Sequence, residues 1–388
     1  MGPTIILDKS AFQSLSQSEI NFLFKHYYVI VTPILISEIL GDLKKNGGKG
    51  LSRGLVKSLA AKLLSIDSVV NTHYKEICLA DLLGDQIPMD GRAIISGGVP
   101  LRSKNGKRGM FFEEQVERKI LRDWQEGIFT DEQQVLAKAW RKMIGVIDLE
   151  NFRRKFRNLL VNKPRINTLS ELDARIRKTL SIPDTTTQYL YLMEFVNNLR
   201  VSQKLKNDIC NRWLAQKLPS FRFFSPYAFY CFNVKTLFSH GVGLNLISTR
   251  STNRIDLLYF YYLPFCMIFS SGDTFHKAVS PLLLRDDQEF VDQEVLKKDL
   301  QWLSNEWANL TEEEKLDRAY NYGSYPPVNE DSITYRLWKK HMRPWKPGSG
   351  NRAIKMSEKD QEKVMKRIQP MIDAIEEYEQ QKEGPSSK

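Results

Sequence analysis

Four carboxylates in this 388-residue chain stand where short apolar runs end or helices begin: Asp8, Glu38, Asp256 and Asp273. Asp8 closes the run Thr4-Ile5-Ile6-Leu7, whose branched apolar residues predict a short buried β-strand. Asp273 follows a later run, Phe265-Cys266-Met267-Ile268-Phe269, across a Ser270-Ser271-Gly272 turn. An open parallel sheet places ligands and chemistry outside the carboxyl ends of its strands. Two strands that end in acids therefore deliver both to one rim. That arrangement holds a hard divalent cation on oxygen ligands.

The elements that must position these acids can be read from the same segments. Residues from Thr4 to about Leu43 read strand, helix, strand, helix. The first helix spans roughly Ser16 to Lys25, with Ser16 or Ser18 as N-cap and Glu19 early in the helix. Ile20, Leu23 and Phe24 give it an apolar stripe. Tyr27 to Val31 is the second strand, and Thr32-Pro33 opens the second helix with Thr32 as N-cap and Pro33 at the first helical position. Glu38 falls in the second turn of that helix. Strands alternating with helices imply a parallel sheet with right-handed crossovers.

Beyond Asn46-Gly47-Gly48, which reads as a flexible hinge, the texture changes. From about Gly54 to Leu237 amphipathic helices dominate, as at Glu113 to Glu126, Asp131 to Ile144 and Tyr189 to Leu199. The stretch is too long for a connection inside a compact domain. A helix over Arg254 to Tyr262, a stop at Pro264 and a strand then resume the α/β pattern. From Phe290 onward helices return. The expected fold is α/β, a parallel-sheet domain over 1–50 and 250–290, interrupted by a large helical insertion over 51–249. A helical C-terminal region over 291–380 and a frayed tail over 381–388 complete it.

Composition bounds the function. The chain is 42% apolar and 11% aromatic, enough for a real core. No apolar run approaches the roughly 20 residues of a membrane-spanning helix. The N-terminus lacks a basic segment followed by an apolar one, so no secretory signal is expected. Cys78, Cys210, Cys231 and Cys266 form no C-x-x-C pair, which fits free thiols in a reducing cytoplasm and offers no zinc site. The formal net charge of +11 suits a polyanionic partner. Arg153, Arg154, Lys155 and Arg157, with Phe152 and Phe156 interleaved, form one candidate nucleic-acid contact, and Lys163 and Arg165 extend it. Arg102, Lys104, Lys107 and Arg108 form another basic cluster. A solvated face is the ordinary use of such runs.

The ordered motifs resemble the PIN-like nuclease superfamily. They are Leu7-Asp8-Lys9-Ser10, Pro33-Ile34-Leu35-Ile36-Ser37-Glu38-Ile39-Leu40, Asn253-Arg254-Ile255-Asp256-Leu257 and Phe269-Ser270-Ser271-Gly272-Asp273. In that superfamily an Asp follows strand one, a Glu lies on the second helix, an Asp opens a late helix, and a last Asp or Asn follows the next strand. Ser10 matches a small hydroxyl residue often found near the first Asp. The resemblance covers about a quarter of the chain, and the gap between Glu38 and Asp256 is far longer than in compact members. It implies that Asp8, Glu38, Asp256 and Asp273 share one or two Mg²⁺ or Mn²⁺ ions and hydrolyse a phosphodiester, with RNA favoured over DNA. A bound ion lowers the pKa of its water and offsets charge on the scissile phosphate.

Each acid also has an ordinary structural use. Asp8 suits a turn or cap, Asp256 a helix dipole, Asp273 a turn, and Glu38 an exposed pair with Lys44 or Lys45. Asp42, four residues after Glu38, is either a fifth acid at the rim or an exposed residue. Asn253 and Ser271 could orient carboxylates. His276 could contact phosphate, and Lys9 could meet the substrate backbone. The aromatic stretch from Phe221 to Phe238 could stack on bases but more simply forms core. Trp338, Trp345 and Lys339 to Arg343 make a C-terminal patch that could hold nucleic acid or a partner subunit. Three readings follow. One is a metal-dependent nuclease, in a setting such as bacterial defence or stress, with the helices binding a partner or building an oligomer. Another is a catalytically silent PIN-like scaffold that binds RNA or protein. The third is a helical interaction protein whose acids are merely surface.

Overall fold

Four consecutive residues of β1 (Thr4–Leu7) are buried on both faces, as a strand at the centre of a covered parallel sheet requires. The computed structural model describes residues 2–44, 49–65, 68–158, 166–346 and 358–383. A short helix, α1 (Lys9–Ser14), follows β1 directly and is capped by Asp8. Next comes α2 (Gln17–His26), opened by a full capping box of Ser16 and Glu19. Strand β2 (Tyr28–Val31) and helix α3 (Pro33–Gly41) follow, with Thr32 Oγ1 accepting from Leu35 N–H. Glu38 therefore lies on the third helix of the chain, not the second.

The sheet has five parallel strands in the order β3-β2-β1-β6-β7. After α4 (Lys49–Leu64), β3 (Val69–Val70) pairs with β2 through Ile30↔Val69. Much later β6 (Ile268–Ser271) pairs with the free side of β1, Ile5↔Ile268 to Leu7↔Ser270, and β7 (Glu289–Asp292) pairs with β6. Two of these strands escaped the sequence reading. β3 lies inside 51–249, where mostly helix was expected, and β7 lies where helices were to return. β6 also begins later than expected: Phe265 ends a 3-10 turn, and Ser270 and Ser271 extend the strand instead of turning. Short strands of two to four residues carry too little periodicity to separate them from helix starts.

The long middle stretch is mostly helical. It runs through α5 (Tyr74–Leu83), α6 (Val116–Glu126), α7 (Asp131–Gly145), α8 (Leu149–Asn158), α9 (Leu169–Leu180), α10 (Thr185–Leu199), α11 (Gln203–Ala215), α12 (Phe221–Phe224) and α13 (Pro226–Gly243). A hairpin of β4 (Gly98–Arg102) and β5 (Arg108–Phe112) interrupts it and places the Arg102 to Arg108 cluster on a turn. Eleven residues of α13 are buried, and it packs on α5, α8, α9 and α14 (Asn253–Phe260). Phe221, Phe224, Tyr227 and Phe232 are core, so the aromatic stretch is chiefly packing; only Phe223 projects far into solvent.

Helices α15 (Thr274–Leu283), α16 (Gln293–Ala308), α17 (Glu312–Asn321), α18 (Ile333–His341) and α19 (Glu358–Glu383) complete the order. α19 carries Lys382 inside the helix and touches the hairpin, where Tyr378 and Lys382 bond Glu113. The C-terminal patch is tied down: Trp338 Nε1 donates to His26 O at 2.7 Å, and Trp345 stacks on Tyr322. Asn46-Gly47-Gly48 and Lys45 lie outside the described residues, as do Lys163 and Arg165. Cys78, Cys231 and Cys266 are buried free thiols, and Cys210 is half-buried.

Candidate carboxylate site

From β1 the chain steps outward through β2 to β3, then returns to β6 on the other side of β1. The reversal point of such a sheet opens a crevice at the carboxyl ends of the two central strands. Asp8 leaves β1 and Asp273 follows β6 at that crevice. Asp8 N–H donates to Ser270 O at 3.2 Å, so the ladder continues until the acid emerges.

Asp8 is almost fully buried. Its Oδ1 accepts from Ala11 N–H at 2.8 Å and Ser10 Oγ at 2.9 Å; its Oδ2 accepts from Ser271 Oγ at 2.5 Å and meets His276 Nδ1 at 3.3 Å. His276 is fully buried, and its Nε2 lies 2.8 Å from the Asp256 backbone oxygen. A carbonyl only accepts, so Nε2 carries a proton. Ser271 has one proton and gives it to Asp8 while accepting from Asp273 N–H at 2.9 Å. Nδ1 must then donate as well, and the ring that satisfies every partner is the imidazolium. The electrostatics agree. Burial alone would lower the His276 pKa, but Asp8, with Asp256 behind it, raises it above the ordinary value. Burial alone would raise the Asp8 pKa, but His276 and the Ser271 and Ala11 bonds hold it below the ordinary range.

Helices α3 and α14 bring the other two acids. Glu38 Oε2 accepts from Tyr259 Oη at 2.5 Å. Burial raises its pKa, assisted by Asp8 and Asp42 and opposed by Tyr259 and Lys9. Asp256 sits one turn before Tyr259 on the same face of α14. Its Oδ2 is buried with no hydrogen-bond partner. Burial pushes its pKa up to about 7; Asp273 and Glu38 add to this, while His276 and Arg250 oppose it. Asp273 caps α15 through Phe275 N–H at 2.7 Å, and its Oδ2 faces Arg250 at 3.6 Å. Glu38 thus lies within electrostatic reach of Asp8, and Asp256 within reach of Asp273 and Glu38.

Several expectations change at this rim. Asp42 is neither a rim acid nor exposed: it is fully buried between Lys9 Nζ at 2.6 Å and Arg141 Nη2 at 2.5 Å. Lys9 thereby turns inward, with Nζ also 3.4 Å from Glu38 O, and is withdrawn from the expected substrate contact. Asn253 donates to Ser248 O and Oγ and not to a carboxylate, so it braces the loop before α14. Ser10 touches Asp8 and also donates at 3.2 Å to Gln293 Oε1, from the first residue of the helix that follows β7. Glu38 pairs with Tyr259, not with a lysine across solvent. Arg153 is tied to Glu150 and Asn245, while Arg154 and Lys155 are exposed on α8. The side chain of Arg157 is outside the described residues.

Tyr259 and Arg250 were missed in the sequence. Tyr259 could have been found from its spacing to Asp256; nothing local marks Arg250. Hard oxygen donors and the orphaned Asp256 Oδ2 suit a divalent cation in chemistry. As the side chains stand, however, no three His, Cys, Asp or Glu among the described residues are grouped to hold one. Among those residues, too, no helix is long and apolar enough to cross a membrane. No family model, no curated protein and no solved structure matches this chain.

Proposed function

We propose that the protein is a metal-dependent phosphodiesterase acting on nucleic acid, with RNA favoured over DNA by its resemblance to PIN-like nucleases. One observation carries this reading: Asp8 and Asp273 follow neighbouring parallel strands at the sheet's reversal point, and one buried oxygen within charge reach of Asp273, Asp256 Oδ2, has no partner. A structural core has little reason to hold such a group, because repulsion and burial both act against it. Asp8, Asp256 and Asp273, with Glu38, would hold Mg²⁺ or Mn²⁺. When bound, the ion supplies an activated water and offsets charge on the phosphate.

The chain's own residues have distinct parts. Ser271 and His276 fix the direction of Asp8. Tyr259 fixes Glu38. Arg250, with its side chain 60% exposed beside Asp273, is the cation placed to meet a substrate phosphate. The division into a sheet domain with a long helical insertion belongs to the same proposal, as does a cytoplasmic setting. A second reading is a silent scaffold that binds RNA or protein. It is favoured by the full internal satisfaction of Asp8 and by the absence of a grouped ligand set among the described residues.

Cleavage of labelled RNA and DNA with Mn²⁺ or with chelator separates the two. We expect RNA cleavage that needs the metal and falls at least about 100-fold in Asp8→Asn and Asp273→Asn, each still folded. Metal-independent cleavage, or none with any metal, would overturn the nuclease reading; binding without cleavage would establish the scaffold.

A further inference from the structure

Beside the C-terminal end of α2, just before β2 begins, lies a cavity of about 450 Å³. It is half open and lined by α2, α16, α17 and the chain after α17. This volume is that of a small-molecule site. The wall carries Lys25, Trp302, Trp307, Arg318, Tyr322 and Tyr325.

The two cations in this wall are unusual. Lys25 Nζ lies 3.3 Å from the centre of the Trp307 ring and 5.5 Å from that of Phe22. Among the described residues, neither the Lys25 nor the Arg318 side chain has a hydrogen-bond or ion-pair partner. Glu306 and Asp317 also reach the wall, yet neither pairs with these cations, and Asp317 accepts from Asn321 Nδ2 at 2.6 Å. Burial and the nearby Arg318 push Lys25 down to about 8. The Trp307 ring attracts the ammonium, but its partial burial and the second cation are costly. An anion between the two would relieve both the desolvation and the repulsion. Aromatic walls around it suit a planar ring.

We propose that this cavity binds a planar aromatic anion, its charged group between Lys25 and Arg318 and its ring among Trp302, Trp307 and Tyr325. The site is remote from the carboxylate rim and its existence does not depend on the nuclease reading. A nucleoside monophosphate and an aromatic carboxylate share this chemistry.

The test is titration of the full chain with AMP and, separately, indole-3-acetate, followed by calorimetry and tryptophan fluorescence. Adenosine and inorganic phosphate serve as controls lacking the charge or the ring. Saturable binding of at least one anion is expected, with both controls about tenfold weaker or worse. Lys25→Met and Arg318→Met should each weaken it about tenfold or more while leaving the melting temperature near the parent's. Which anion binds identifies the source. No saturable binding of either anion, equal binding of adenosine or phosphate, or unchanged affinity in both variants would overturn the proposal. If Lys25→Met proves unstable, Arg318→Met, on a half-exposed position of α17, decides alone.

Discussion

At the scale of single residues, the rim sets a fully satisfied acid, Asp8, near one with an orphaned oxygen, Asp256. Asp8 and His276 form a buried ion pair whose partners are all accounted for. Breaking such a pair from one side leaves an uncompensated charge and costs about 3 kcal/mol or more. His276→Ala should therefore lower stability by about that amount in urea titrations at pH 6. The pH sign follows from the two shifts. The imidazole pKa is raised, so its contribution is full below its ordinary 6.5 and fades as pH climbs through the folded value. The carboxylate is lowered, so its contribution is full above its ordinary 3.8 and fades as pH falls through the folded value. The parent should lose stability on the alkaline side more steeply than His276→Ala. Asp256 behaves oppositely. Its neutral form is favoured in the fold up to about pH 7, so stability falls as pH rises from 3.8 through that value. Asp256→Asn, assayed in chelator at pH 8, should melt about 2 °C or more above the parent while losing metal-dependent cleavage. A lower melting temperature there would show that Asp256 is an ordinary structural acid.

At the scale of elements, the site depends on how α3 and α7 are locked together. Gly41 ends α3, and a Cβ there would lie 2.5 Å from Trp140 Cδ1 of α7. One residue along, Arg141 donates to Gly41 O at 2.8 Å and pairs with buried Asp42. Gly41→Ala should force the helices apart and cost about 1–3 kcal/mol, because close-packed contacts do not yield freely. The loss should appear in Arg141→Met as well, and the double variant should lose less than the sum. A similar clamp holds the helical stretch. Arg212 of α11 donates to Asp81 O and Leu82 O at the end of α5 and to Phe224 O of α12, and its guanidinium lies 4.2 Å from the Phe224 ring centre. Asp81, in turn, caps α13 from outside through Ala228 N–H at 2.9 Å. Arg212→Lys cannot reproduce this fork. Its expected result is faster proteolysis across α11 to α13.

At the scale of the whole molecule, the charge of +11 is spent unevenly. Lys9, Arg141, Arg153 and Arg212 serve internal contacts, while Arg154, Lys155 and Arg250 face solvent. Nucleic-acid affinity should fall steeply with salt, in proportion to the phosphates neutralised. Removing Arg250 should lower the salt slope by about 1. An unchanged slope and affinity would remove that residue from the interface.

Sequence alone determined what local chemistry controls. Thr32 marks its helix start, a serine at 16 or 18 marks the one before it, Asp8 must emerge from the strand it ends, and the aromatic stretch reads more simply as core than as a base-stacking surface. Local spacing could not decide which acids, 248 or more residues apart, share a rim, since Asp273 comes beside Asp8 only through the return of β6 to the free side of β1. Nor could it show that Lys9 and Asp42 would neutralise one another, that His276 would charge beside Asp8, or that β3 and β7 would close the sheet. Those outcomes belong to tertiary structure, because burial and long-range pairing set the energy of a charge and the fate of a two- to four-residue strand.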